Sequence, residues 1–375
     1  MNISTDASQD CWHDLREPGS YEWWYFDAED DAQGISVVCI WFAGFAFSPY
    51  YMQHYLDWQQ GRRQDPPFAS DYSGFSFQLY DGRRETVNFI TEGAQGRFSD
   101  ASSGISASFE QNSFQYDPEA DAYLLKVEFD FPARRQRVSA SIRFDAIERF
   151  GYERQDDRNG AGANHQWLLT VPSAAVTGSV TIHDTLKNRE RRISLDARGY
   201  HDHNLGAMPV HEYIDRWYWG RAYSQRHYLV YYLIYFREKS CPSLGLCILH
   251  EAETGRYRVF DRLKVEESGH AWGVFAPWHS RQLKFGEGDL LVDMQQRDVM
   301  DSGPFYLRFR AQVSLQTGNG ISDELKGISE FLKPGRQLSA VMRFFTKSRI
   351  LRSGIASFMY SGYNFFKTWW NWFKP

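Results

Sequence analysis

The sequence predicts a mainly β protein, built as two antiparallel sandwiches or barrels and closed by a short helical, basic C-terminal segment. Three observations carry that expectation. Short β-branched and aromatic runs recur between turn-forming clusters. The stretch "LLKVEFDF" alternates, with Leu125, Val127, Phe129 and Phe131 on one side and Lys126, Glu128 and Asp130 on the other. At 375 residues the chain has room for two such domains and their cores.

Taken in chain order, "GISVVCIWFAGFAF" (34–47) is too mixed for an amphipathic helix and suits a buried strand. Turn clusters then precede strand-like runs: "YDGRRET" before "VNFI", "DPEADA" before "YLLKVEFDF", and "ARRQR" before "VSASIRF". Further strands are expected in "HQWLLTVP", "VTGSVTI", "RRISLDARGY", "RWYWGRAY", "HYLVYYLIYF", "LGLCILH" and "RYRVFDRLKV". The Pro172–Gly178 stretch is the expected division, giving a first β domain over 1–175 and a second over 176–325. From about Ser322 the alternation fades and helix formers increase, so 326–375 is expected to be a separate segment. Leu338, Val341, Met342 and Phe345 offer one helical face there, and Ile350, Leu351, Ile355, Phe358 and Met359 a second.

Charge is unevenly spread. The whole chain carries a formal −5, yet Phe331–Pro375 holds eight Lys or Arg and no Asp or Glu. An acidic body argues against nucleic acid as its partner. The closing "FFKTWWNWFKP" sets tryptophans beside lysines, a combination suited to the membrane interface, so Phe331–Pro375 is expected either to contact a membrane surface or to dock its aromatics on the β body. "MNISTDASQD" lacks the basic start and apolar run of a signal peptide, and no stretch of membrane-spanning length is apolar. Cys11, Cys39, Cys241 and Cys247 have neither zinc-site spacing nor disulfide-scaffold density. A cytoplasmic location is expected, with peripheral contact at the inner face of the membrane.

The chemistry concentrates in "RGYHDHNLG" (198–206). In a strand, Tyr200, Asp202 and Asn204 share one face while His201 and His203 share the other. A carboxyl group beside a phenol in apolar surroundings is expected to keep its proton and to donate it to substrate. Upstream, "NHQWLL" places His165 and Trp167 on a common face, a proton-handling imidazole next to an indole that can shield a cation. The alternative for this polar cluster is a capped turn with exposed histidines. His201 and His203 also resemble a metal-binding His-x-His, with His165, His211 or His227 as further ligands, but nothing in the spacing fixes that geometry and no metal is assigned. Phosphate loops, dinucleotide fingerprints, G-x-S-x-G elbows and H-E-x-x-H are absent from the sequence. The remaining expectation is proton-transfer chemistry in an apolar cavity, with no cofactor.

"YEWWYFDA", "NHQWLLTVPSAAVTG", "GYHDHNLG" and "WYWGRAY" occur in that order between residue 20 and about 235, and together they resemble the carotenoid 1,2-hydratase family and its AttH-type relatives. The resemblance implies a pair of lipocalin-like barrels, a long apolar cavity, no cofactor and a hydrophobic isoprenoid or polyene substrate. The family's His-x-Trp and Tyr-x-Asp pairs fall on His165 and Trp167 and on Tyr200 and Asp202. By that likeness Asp202 donates a proton, Tyr200 orients it, Trp167 shields a carbocation and His165 handles the attacking water. Glu22, Trp24, Tyr25, His203, Asn204, Trp217, Trp219 and Arg221 are the expected substrate-binding residues, with Trp23 or Trp24 packing the barrel. An acid-catalysed hydratase or cyclase is thus expected. The alternatives are a non-catalytic carrier of a hydrophobic ligand and a pericyclase acting by confinement.

Overall fold

The computed structural model describes residues 1–155, 164–241, 243–273, 276–318, 320 and 322–373. It divides into two units, Met1–Pro209 with Arg343–Pro375, and Val210–Met342. The first unit contains β1 (Asn2–Ser4), β2 (Tyr21–Asp30), β3 (Ile35–Ala43), helix α1 (Pro49–Gln59), β4 (Ser73–Asp81), β5 (Arg84–Gly93), β6 (Gly96–Phe98), β7 (Ser106–Phe109), β8 (Asn112–Asp117), β9 (Ala122–Phe131), β10 (Gln136–Glu148), β11 (Glu153–Arg154), β12 (His165–Asp184) and β13 (Arg189–Gly206). Its sheet runs β5-β4-β3-β2-β13-β12-β10-β9-β8-β7-β6, with β1 parallel to the start of β12. Curling brings opposite ends of this path across one core, where the Trp41 indole of β3 donates to the Asn112 carbonyl of β8 at 3.1 Å. Phe26, Phe75, Phe77, Phe89, Phe114, Phe129 and Phe144 fill the space between. The alternation in β9 works as expected: Leu125, Val127, Phe129 and Phe131 enter that core and the charged positions between them face water.

The division expected at 172–178 is corrected, because those residues lie inside β12 and the units part between Pro209 and Val210. Turn-type residues are absorbed within the strand. Register shifts between β12 and β13 fall at Leu168/Val171 and Val171/Ala174, beside Pro172. Gly178 adopts φ +145°, where a Cβ would come within 2.2 Å of the Ser141 carbonyl oxygen. Pro and Gly here mark irregularities of one long strand, not its end.

The second unit opens with helix α2 (Val210–Tyr213). It then forms one antiparallel nine-stranded sheet from β14 (Ile214–Tyr223), β15 (His227–Phe236), β16 (Leu244–Glu251), β17 (Arg256–Phe260), β18 (Lys264–Ala271), β19 (His279–Glu287), β20 (Leu290–Ser302), β21 (Tyr306–Gln316) and β22 (Ser322–Leu332). Their order is β17-β16-β15-β14-β22-β21-β20-β19-β18. Tyr218, Leu229, Tyr231, Phe285, Phe309 and Phe331 lie in its core. The second β domain therefore runs past 325 to Leu332, since Leu325, Ile328, Phe331 and Leu332 are buried from β22.

The C-terminal segment returns to the first unit. Helix α3 (Ala340–Lys347) is followed by β23 (Leu351–Arg352), parallel to β5, and by α4 (Phe358–Phe373). Of the helical face expected over Ile350–Met359, only Phe358 and Met359 are helical, at the start of α4; Leu351 lies in the short strand, which is followed by Ser353 and Gly354, both at positive φ. Tyr360 enters the first core, Asn364 is buried, and Lys367 pairs with Glu85. The side chains of 368–373, which include the three closing tryptophans, fall outside the described residues. Among the described residues no helix is long and apolar enough to cross a membrane.

Candidate functional site

The first unit places "RGYHDHNLG" at the end of β13 between β2 and β12. Across β2, Tyr200 pairs with Asp27, His201 with Phe26, Asp202 with Tyr25, His203 with Trp24 and Asn204 with Trp23. Across β12, Asn204 pairs with Trp167 and Gly206 with His165. Strand pleating sorts these partners into two faces, and both are buried.

One face carries Tyr200, Asp202 and Asn204. The Tyr200 hydroxyl donates to Asp202 Oδ2 at 2.7 Å and the Trp167 indole N–H donates to the same oxygen at 2.8 Å. The Asn204 amide donates to Oδ1 at 3.0 Å. Asp202 is 4% exposed, and Tyr200, Trp167 and His165 are fully enclosed. Indole and amide N–H groups only donate, so they fix the carboxyl plane; the Tyr200–Asp202 contact is the one along which a proton can be held by either oxygen. His165 lies two residues before Trp167, its Nδ1 2.7 Å from the Tyr21 hydroxyl and its ring beside Trp23. Burial, with a smaller contribution from the positive chain terminus, lowers its pKa to about 3 and keeps the imidazole neutral. Of the two pairs of the sequence analysis, Trp167, Tyr200 and Asp202 thus meet at one carboxyl group, while His165 is engaged by Tyr21 and Trp23.

Sequence reasoning named Tyr25 but missed Tyr21. The signal for Tyr21 was present: with Trp23 and Tyr25 it occupies every second position of β2 and so shares the Asp202 face once β2 and β13 are paired. Tyr25 stands edge-on to Tyr200 at 6.2 Å and donates to Asp27 at 2.8 Å.

The other face holds an internal charge network. His201 stacks flat on Phe26 at 3.8 Å and His203 on Trp24 at 4.4 Å. Asp10, from the N-terminal segment, lies 2.8 Å from His201 Nε2 and 3.1 Å from His203 Nδ1, and accepts the Tyr123 hydroxyl. Glu22 Oε1 lies 2.9 Å from His203 Nε2 and 2.8 Å from His13 Nδ1. Burial by itself would lower the His203 pKa, but the two carboxylates that bracket it raise it to about 9. Burial likewise opposes ionisation of Asp10 and Glu22, yet their histidine partners hold both below the usual carboxylate range. His13, Glu22 and His203 also present ligand atoms within 4.8 Å of one another, a donor set that suits a divalent transition ion. In this structure Glu22 Oε1 instead serves both imidazoles through hydrogen bonds.

The expected substrate-binding residues therefore fall into three groups. Tyr25 and Asn204 accompany Asp202. Glu22, Trp24 and His203 belong to the opposite face and its charge network, because pleating sends positions 22, 24 and 203 inward. Trp217, Trp219 and Arg221 belong to β14 of the second unit, where they alternate with the core residues Tyr218 and Ala222 and are themselves buried. Of the further ligands weighed for a His201/His203 metal site, His165 lies on the opposite strand face, and His211 and His227, the latter 2.7 Å from Asp323, belong to the second unit. A cavity of about 710 Å³ in the second unit, lined by Trp272, His279, Arg281, Gln296, Asp298 and Phe309, contains none of the candidate residues.

Two curled antiparallel units with an acid held by a phenol, an indole and an amide make this a lipocalin-like β protein with a buried acid site. The chain belongs to the carotenoid hydratase CrtC family, whose model matches residues 39–357. A protein of Chlorobaculum tepidum named hydroxyneurosporene dehydrogenase is 48% identical over 368 residues, covering 98% of this chain and 96% of that one. The acyclic carotenoid 1,2-hydratase of Rubrivivax gelatinosus is 28% identical over 212 residues, 55% of this chain and 45% of its own. The crystal structure of CghA shares the fold at a TM-score of 0.58 and 14% identity, over 84% of this chain and 88% of CghA. By family the protein is a carotenoid-modifying enzyme.

Proposed function

We propose that the protein adds water to a terminal isoprenoid double bond of an acyclic carotenoid, with Asp202 as the proton donor and no cofactor. The observation that carries this reading is the burial of Asp202 with its Oδ2 2.7 Å from the Tyr200 hydroxyl, a contact along which the carboxyl group can hold the proton. The carboxyl O–H bond breaks as its proton forms a C–H bond with the less substituted alkene carbon, and the alkene's electron pair leaves a tertiary carbocation. Water forms the C–O bond, and the proton it sheds restores the Asp202 carboxyl group. A tryptophan face stabilises a cation by roughly 0.5 to 2 kcal/mol, more without water, which suits Trp167 to the intermediate.

His165 takes a narrower role than a base. An imidazole with a pKa near 3 is a poor proton acceptor at neutral pH, and its Nδ1 is already engaged by the Tyr21 hydroxyl at 2.7 Å. It positions water by hydrogen bonding. Asp202→Asn keeps the shape and removes the acid, so turnover should fall by roughly 10² to 10⁴-fold while carotenoid binding, read from the visible absorption band, persists. Retained turnover would refute the assignment. Product mass separates hydration, a gain of the elements of water, from dehydrogenation, the activity in the name of the Chlorobaculum tepidum relative, which removes two hydrogens. A protein that binds the polyene and returns it unchanged would be a carrier.

A further inference from the structure

Among the described residues, both helices of the C-terminal segment expose large apolar side chains and bury polar ones. In α3 the buried positions are Arg343, 8% exposed and bonded to Gln53 Oε1 of α1 at 3.0 Å, and Thr346. Its apolar stripe, Val341, Phe344 and Phe345 at i, i+3 and i+4, faces outward, with Phe344 53% exposed. In α4 the inward positions are Tyr360, Asn364 and Lys367, while Phe358 is 92% and Phe366 69% exposed. Ile355, between the helices, is 75% exposed. A helix in water turns its polar face outward; large exposed apolar side chains on both helices and between them fit an apolar medium outside the protein.

Charge identifies that medium. Positions 331–375 carry eight Lys or Arg and no acid. Lys347 and Arg352, both partly exposed, lie beside this segment's exposed aromatics in the chain, with Lys347 Nζ 5.1 Å and the Arg352 guanidinium 4.5 Å from the Tyr50 ring centre. We propose that Phe344, Phe345, Ile355, Phe358 and Phe366 form a docking surface for an anionic lipid bilayer, with the helices lying in the interface plane and the partly exposed Lys347, Arg349 and Arg352 meeting the headgroups. At 16 residues, α4 suits this in-plane seat. The surface stands independently of the hydration chemistry, although a substrate dissolved in lipid gives it a use.

Flotation of the full chain with phosphatidylcholine vesicles, with and without about a third phosphatidylglycerol, tests the proposal. The wild type should float with the anionic vesicles and far less with the neutral ones. The double variant Phe344→Glu with Phe358→Glu should lose bound fraction by roughly tenfold or more, at an unchanged melting temperature, since both side chains are exposed. On detergent-dispersed substrate this variant should turn over like the wild type, so a failure of the Asp202 assignment and a failure of the lipid surface give different results. A wild type that stays unbound, or a variant that floats equally well, overturns the proposal. So does light scattering that shows a wild-type dimer dissociated by the double variant, which would give the face to a second copy.

Discussion

At the residue scale, one strand segment supports two separate chemistries because adjacent side chains point opposite ways. Asp202 is surrounded by donors on one face; His201 and His203, its neighbours in sequence, bind Asp10 and Glu22 on the other. The second arrangement pins the N-terminal segment and predicts a pH dependence of stability. The His203 pKa is raised from 6.5 to about 9 in the folded protein, so its contribution is fully present below pH 6.5 and is lost as pH rises through 9. The difference corresponds to roughly 3 kcal/mol. Glu92, raised by burial from the ordinary 4.5 to about 7, acts over a lower window, costing stability as pH rises from 4.5 through 7. Denaturant unfolding between pH 7 and 9 should therefore show stability falling in the wild type, and His203→Gln should flatten that slope. Equal slopes would show that the network contributes nothing through ionisation.

At the element scale, β2, β12 and β13 make the site, and much of it was legible in the sequence. The i, i+2 pairs His165/Trp167 and Tyr200/Asp202 each had to share a face, and pairing of β12 with β13 then brought Trp167 to Asp202. Parity does not say which face meets the core or what covers the other, so Glu22, Trp24 and His203 were grouped with Asp202 when they belong behind it. Nor does it reveal bulges, which is why Pro172 and Gly178 read as a boundary inside β12. In the tail, periodicity found Val341 and Phe345 of the α3 apolar stripe but neither Phe344 nor the outward orientation. Gly206 offers a test of how closely these strands must approach. A Cβ there would sit 2.5 Å from the Tyr21 ring and hydroxyl and 2.7 Å from the Asn164 carbonyl oxygen. Gly206→Ala should cost roughly 1 to 3 kcal/mol in urea unfolding and lower activity by displacing Tyr21 from His165. A variant as stable and active as the wild type would mean that the Tyr21–His165 contact is dispensable.

At the scale of the whole molecule, the chain combines two curled β units with a tail that rejoins the first one through Tyr360, Asn364 and Lys367. Each unit has its own apolar interior, and in each the candidate residues outside the charge network lie on a buried strand face that does not point into that interior. The interior of the first unit is packed with aromatic rings, so its role is to hold β2, β12 and β13 rigid beneath the acid. Hydration at that acid requires the solvent to supply both the new hydroxyl oxygen and the new carbon-bound hydrogen. The most direct measurement is conversion of an acyclic carotenoid in deuterium oxide enriched in heavy oxygen, with mass spectrometry of the product. The expected product carries one heavy oxygen and one carbon-bound deuterium in the same terminal unit, and neither label enters with Asp202→Asn. A product that has lost two hydrogens, or one labelled equally by the variant, would contradict acid catalysis at Asp202.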